Sequence, residues 1–301
     1  MPSLAALCSL LFLAQSLSAA RPGYDRASDA DPIAPELAKI AASGYSVAER
    51  VSTRVGKELL VAVLCRKGEG QSYHLRAYRL AARKTSLILY EPAFGARMVL
   101  ASIHAGGGIP DLLGDGSRVL AYESTLTQYS KLVVLRYARG KVQRVTDLAF
   151  SHFEDIDGDG GLEIVEQSRP LGKFFQLECE SFFTQAQAAF RTRIHSLTAG
   201  PDKAVLRDVS ASHPYFYERR IRDIGDRLAA VDLRKTRDYG GYLGPALSQY
   251  FDYAEIGRGK EGWAKFRERF TPRASDPAKV SQCLREMETT LRRELKIPEG
   301  W

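Results

Sequence analysis

The segment Asp155-Ile156-Asp157-Gly158-Asp159-Gly160-Gly161-Leu162-Glu163 places carboxylates at the first, third, fifth and ninth positions of one short run. Alternate side chains on a tightly turning backbone can converge on one point. Carboxylates brought together in this way repel one another unless a cation sits between them. Calcium is a hard ion that takes roughly six to eight oxygens at about 2.3–2.6 Å, which a carboxylate-rich loop can supply. Magnesium fits less well, because it keeps several waters and uses few protein carboxylates. Gly158, Gly160 and Gly161 allow the backbone to turn this sharply. The expected ligands are the carboxylates of Asp155, Asp157, Asp159 and Glu163 and the carbonyl of Gly161. The competing reading is a polar Asp-Gly turn without an ion, since these residues are the commonest in turns.

Two frameworks begin with such a run. An EF-hand continues to a twelfth-position glutamate, where Glu166 stands, but it needs helices on both sides. Here Leu162-Glu163-Ile164-Val165-Glu166 alternates like a strand, and Pro170 would break an exiting helix. The other framework is a calcium loop between two strands. Asp155–Val165 resembles the FG-GAP or VCBS-type repeats of integrin-α-like β-propellers, with their pattern Asp-x-(Asp/Asn)-x-Asp-Gly-x-x-(Asp/Glu) ahead of an apolar strand. The resemblance implies a metal loop joining neighbouring strands, with the five ligands named above. An upstream segment, Pro110-Asp111-Leu112-Leu113-Gly114-Asp115-Gly116-Ser117-Arg118-Val119, shares the Gly-Asp-Gly core and the following strand. Leu113 and Val119 replace two of its ligands, so it is expected to keep the turn and lose the ion. The spacing of the two loops, about forty residues, suits one propeller blade. Only residues 105–170 carry the resemblance. A full propeller needs at least four blades of about four strands, more than the strand region can supply.

The elements around the loop follow from periodicity. Leu59–Cys65, Tyr73–Ala77, Ser86–Tyr90, Met98–Ile103, Val119–Glu123, Lys131–Tyr137, Leu162–Glu166 and Phe190–His195 read as strands, separated by glycine-rich turns such as Gly106–Gly108 and Arg139-Gly140. After Ser210 the period becomes helical. Ser212 is a candidate N-cap ahead of Pro214. Apolar stripes follow at Ile221, Ile224, Leu228 and Val231, at Leu243, Leu247, Tyr250, Phe251 and Ala254, at Trp263, Phe266 and Phe270, and at Val280, Leu284, Met287 and Leu291. The expected fold class is α+β, an N-terminal antiparallel β region of partial, propeller-like blades followed by a helical C-terminal region. The expected divisions are a signal peptide at 1–20, a lead-in at 21–57 with a turn or two of helix from Pro35, a β-rich repeat domain with the calcium loop at 58–210, and a helical region at 211–301.

The signal-peptide reading rests on an uncharged N-terminus, an apolar stretch from Leu4 to Ala14, and small residues Ser18 and Ala20 ahead of Arg21-Pro22-Gly23. The stretch is shorter than the ~20 residues that span a bilayer, and no later segment qualifies. The chain is therefore expected to be exported, periplasmic or secreted, after cleavage near Ala20. Cys8 follows Leu7, where a lipoprotein signal needs a small residue. Cleavage leaves Cys65, Cys179 and Cys283, which allow three pairings. The net charge of +7 is spread along the chain without a basic block, which argues against nucleic acid as a partner.

Catalytic motifs are lacking. His74, His104, His152, His195 and His213 are dispersed and fit no zinc-hydrolase frame. His104 ahead of Gly106–Gly108 resembles an oxyanion loop, but no G-x-S-x-G elbow accompanies it. An acidic glycosidase pair would be visible only in space. The functional expectation is an exported, calcium-binding, non-catalytic binding or structural module whose partner is a protein or glycan. Its rivals are an EF-hand-type protein, a secreted hydrolase with an unrecognised acidic site, and a helical region that makes the contact through Tyr215, Phe216 and Trp263.

Overall fold

A computed structural model describes residues 31–301 apart from 69–71, 83, 95, 128, 173–188, 201–202 and 237–238. The expected signal peptide lies outside the described residues.

The first helix, α1 (Ala34–Ala42), starts with Pro35 in its first turn. Three antiparallel sheets follow, each a meander of four consecutive strands. The first holds β1 (Tyr45–Val55), β2 (Glu58–Lys67), β3 (Ser72–Ala81) and β4 (Lys84–Phe94). The second holds β5 (Arg97–Leu100), β6 (Arg118–Leu126), β7 (Tyr129–Ala138) and β8 (Lys141–Ala149). The third holds β9 (Ser151–Glu154), β10 (Glu163–Ser168), β11 (Arg191–Ala199) and β12 (Ala204–Asp208). The C-terminal helices are α2 (Pro214–Ala229), a single turn α3 (Leu233–Thr236), α4 (Tyr239–Glu255), α5 (Gly259–Phe270) and α6 (Ala278–Glu294). The class is α+β, and the sheets do not close into a propeller.

The sheets are stacked face to face, and strand alternation shows how. In β2, Leu60, Ala62 and Leu64 point to one side and meet Met98, Leu120, Val133 and Leu135 of the second sheet. Val61, Val63 and Cys65 point to the other side, where Ile33 and Ile40 at the first helix cover them. In the second sheet, Val119, Ala121, Leu132 and Val134 point away from the first and pack on Phe153 and Ile164 of the third. Val165 and Ile194 on the far side of the third sheet meet Phe216 and Tyr217 of α2. Central strands are thus buried on both faces, which is why Leu60–Cys65 and Leu132–Tyr137 are unbroken buried runs. Each aliphatic side chain so buried contributes roughly 1.5–3 kcal/mol. Helices therefore pack on both ends of the stack.

The helical core gathers the sequence stripes: Leu243, Leu247, Trp263, Phe266, Phe270, Leu284, Met287 and Leu291 form one cluster. Trp263 stacks on Phe266 at 5.0 Å and is fully buried. Phe216 is buried as well, so of the three aromatic anchors suggested for a partner only Tyr215, at 70% exposure, is available. The hydroxyl of Tyr217 donates to the Thr192 carbonyl at 3.1 Å and ties α2 to β11.

Three details depart from expectation. Tyr45–Val55, assigned above to the lead-in, pairs with β2 along its length. The strand expected at Met98–Ile103 ends at Leu100, and Ser102–His104 forms a 3-10 turn. The residue ahead of α2 is His213 rather than Ser212, and no side chain caps the helix. Pro214 needs no cap of its own, because it has no N–H to satisfy. Of the three cysteine pairings left open by the sequence, the two that would use Cys65 are removed, because Cys65 is free while Cys283 is disulfide-bonded; Cys179 lies outside the described residues.

Burial pushes the Cys65 thiol up to about 11 and leaves it no accessible surface. In native protein Cys65 is expected to stay unmodified by a water-soluble thiol reagent that labels it fully in urea. Peptide mass analysis showing label at Cys65 without denaturant would contradict the burial.

Candidate metal site

The acidic loop joins β9 to β10, adjacent strands of the third sheet that pair from Glu154↔Glu163 inward. No helix flanks it. Glu166, the EF-hand's terminal position, lies inside β10 with its carboxylate 2.8 Å from Nε2 of His195. The EF-hand framework therefore does not fit; the loop sits between two strands, as in the β-loop-β framework.

Within the loop, one carboxylate oxygen each from Asp155, Asp157 and Asp159 lies within 4.8 Å of the others, and all three residues are exposed. The backbone holds them there. Asp155 accepts the N–H of Gly158 through Oδ1 at 2.8 Å and that of Gly160 through Oδ2 at 3.2 Å. Asp159 accepts the Gly161 N–H at 2.6 Å. Gly158 and Gly160 have φ of 77° and 85°, the left-handed region that a side chain would strain. Glu163 is not drawn into the group; it accepts the Ile156 N–H at 3.3 Å and closes the base of the loop. Among the described residues no Lys or Arg pairs with the three aspartates. Three hard anionic oxygens within reach of one point make a donor set for a hard divalent cation.

The upstream loop provides an internal control. Val119 donates its N–H to the Pro110 carbonyl at 2.9 Å, bridging the positions that Glu163 and Glu154 occupy downstream. Asp111 accepts the Gly116 N–H at 2.8 Å, as Asp155 accepts that of Gly160. Asp115 accepts the Ser117 N–H at 2.9 Å, as Asp159 accepts that of Gly161. Gly114 and Gly116 have φ of 65° and 80°. The two loops share one hydrogen-bond frame but handle charge differently. Upstream, Arg118 lies 3.2 Å from Asp111 and Arg136 lies 2.5 Å from Asp115. Ser117 and Arg136 together hold the Asp115 carboxyl below its usual range. Downstream, Leu162 stands where Arg118 would be. Ser196, the next residue of β11 in register with Glu163, stands where Arg136 would be. The sequence reading missed both arginines. Arg118 was in plain view, but Arg136 reaches its loop only through strand register.

His104 has no free nitrogen for chemistry. Nδ1 bonds the Gly108 carbonyl at 2.9 Å and Nε2 accepts the Ala121 N–H at 3.0 Å, so the ring is a neutral strut between loop and strand. No helix of the described residues is long and apolar enough to cross a membrane. No family model, curated protein or solved structure matches this chain.

Proposed function

We propose that the loop 155–163 binds calcium, and that the protein is an exported, non-catalytic binding or structural module in which the ion locks the β9–β10 hairpin. The observation that carries this reading is the contrast between the two loops. A shared frame has its carboxylates neutralised by two arginines in one copy and, in the other, has three converging aspartates that no Lys or Arg among the described residues pairs with. Asp155, Asp157 and Asp159 would provide the primary ligands. The Gly161 carbonyl and Glu163, which can swing from Ile156, would complete the shell. The calcium-loop resemblance and the Leu4–Ala20 segment support calcium and export, since extracellular calcium is abundant enough for an exposed site of moderate affinity. A protein or glycan is the proposed partner, met at the surface beside the stiffened loop.

The test is the melting temperature of the purified protein in EGTA, in magnesium and in calcium. An ion bound only by the native state stabilises by about 2.7 kcal/mol at a hundredfold excess over Kd. For a chain of this size that is a rise of about 4–5 °C. The expected order is calcium above magnesium above EGTA. Equal melting in all three would refute the site.

A further inference from the structure

We propose that the cleft where the third sheet meets α2 and α4 binds a small zwitterion, with its carboxylate on Arg220 and Arg227, its ammonium on Asp223, and its apolar body against Phe190, Ile224 and Pro245. The cleft has a volume of about 310 Å³ and all six side chains line it. That is the small end of the range for ligand pockets, suited to an amino acid or a short peptide end. The proposal does not depend on the metal loop.

Residues 220, 223 and 227 are spaced i, i+3 and i+7, so α2 presents them on one face over about two turns. Arg220 is held from behind. Its Nε donates to Oδ2 of Asp252 on α4 at 3.1 Å, and Asp252 is completely buried. Its guanidinium also lies over the Phe216 ring at 5.6 Å. A guanidinium carries five N–H donors, and this tether uses one, so the Nη fork stays free of protein acceptors among the described residues. Arg227 is tethered in a similar way: its Nε donates to the Asp223 carbonyl at 3.2 Å, and its Nη atoms have no acceptor among the described residues. Pre-set guanidinium forks match a carboxylate in geometry as well as charge.

Asp223 decides between ligand classes. Its carboxylate forms no ion pair with either arginine or with any other described residue, and it stands between them on the same face. A phosphate dianion would meet this charge at close range. A simple carboxylate would leave it unmatched. A ligand carrying an ammonium beside its carboxylate satisfies all three side chains.

The experiment is calorimetric titration of the full chain with L-leucine, L-phenylalanine, their carboxamides, their des-amino carboxylates and inorganic phosphate. Both amino acids are expected to bind, and the analogues lacking either charge about tenfold to a hundredfold more weakly, the usual cost of losing a charged hydrogen bond. Asp223→Asn should weaken amino-acid binding by about the same factor and leave the des-amino acids unaffected or tighter. Arg227→Gln should weaken both sets. Asp223 and Arg227 are exposed, so neither change threatens the fold. Absence of saturable amino-acid binding, a preference for phosphate, or an Asp223→Asn variant that still favours the zwitterion would overturn the proposal.

Discussion

Asp157→Leu should melt above the wild type in EGTA and below it in millimolar calcium. The crossing follows from the two loops. Leu113 occupies the equivalent place in the upstream copy, where the neighbouring glycine has φ 65° against 77° for Gly158, so the turn accepts leucine there. Asp157 also contributes least to the loop's own scaffold: it accepts a single backbone N–H, that of Asp159, at 3.3 Å. Removing it takes one negative charge out of a group packed within 4.8 Å. Without an ion that relief stabilises the loop. With an ion it removes a ligand, and affinity should fall at least roughly a hundredfold, because even outer-shell partners of a metal cost about 10–100-fold. Asp155→Leu would not separate these effects, since Asp155 holds Gly158 and Gly160 and its loss would unmake the turn. A calcium-induced rise that survives in Asp157→Leu would remove Asp157 from the site. A variant that melts below wild type in EGTA would mean the aspartates do not strain the loop.

Legibility in the sequence tracked burial. The strands centred on Leu60–Cys65 and Leu132–Tyr137 were plain because both faces of each are packed, and an unbroken apolar run results. Four strands were not seen: Tyr45–Val55, Lys141–Ala149, Ser151–Glu154 and Ala204–Asp208. All four are edges of their sheets, where one side meets solvent and the pattern weakens. The misjudged end of the strand from Met98 has a specific cause. The chain leaves the sheet at Ala101 because a 3-10 turn is needed to bring the His104 ring under the Ala121 N–H. The aspartate trio was legible because its geometry is local, set by glycines within one loop. Arg136 and the cleft between α2 and the third sheet were not, because register and helix packing bring distant residues together there. Nor could the face-to-face stacking be read, since a doubly buried strand shows apolar residues on both faces without naming their partners.

Replacing His74 or Asp252 should change the pH dependence of stability in opposite directions. His74 is buried between the rings of Tyr45 and Tyr90, with centroids at 4.3 and 5.5 Å, and neither ring nitrogen has a partner among the described residues. Burial, aided by the charge of Arg76, lowers its pKa to about 4. An unfolded histidine titrates near about 6.5. The folded state therefore binds fewer protons than the unfolded one, and stability falls as pH drops from about 6.5 toward 4, by about 2 kcal/mol at pH 5. Asp252 works in the opposite direction. Its burial outweighs Arg220 at 3.1 Å, and with Glu255 nearby its carboxyl is pushed up to about 7. Here the folded state binds more protons, and stability rises by about 2.5 kcal/mol as pH falls from 8 to 5. The carboxyls held low, such as Asp31 and Glu58, lose their contribution only at more acid pH. Between pH 8 and 5 Asp252 is opposed by His74 and also by His104, whose ring burial likewise holds below the usual histidine range, so the wild-type stability from urea unfolding sums one rise and two falls as pH drops. His74→Phe keeps an aromatic ring between the two tyrosines and removes its acid penalty; its stability relative to wild type should rise by about 2 kcal/mol from pH 8 to 5. Asp252→Asn should lose about 2.5 kcal/mol relative to wild type over the same range. Changes of opposite sign relative to wild type are the signature of two buried groups charging in opposite senses, and changes of the same sign in the two variants would show that at least one of them is not buried as described.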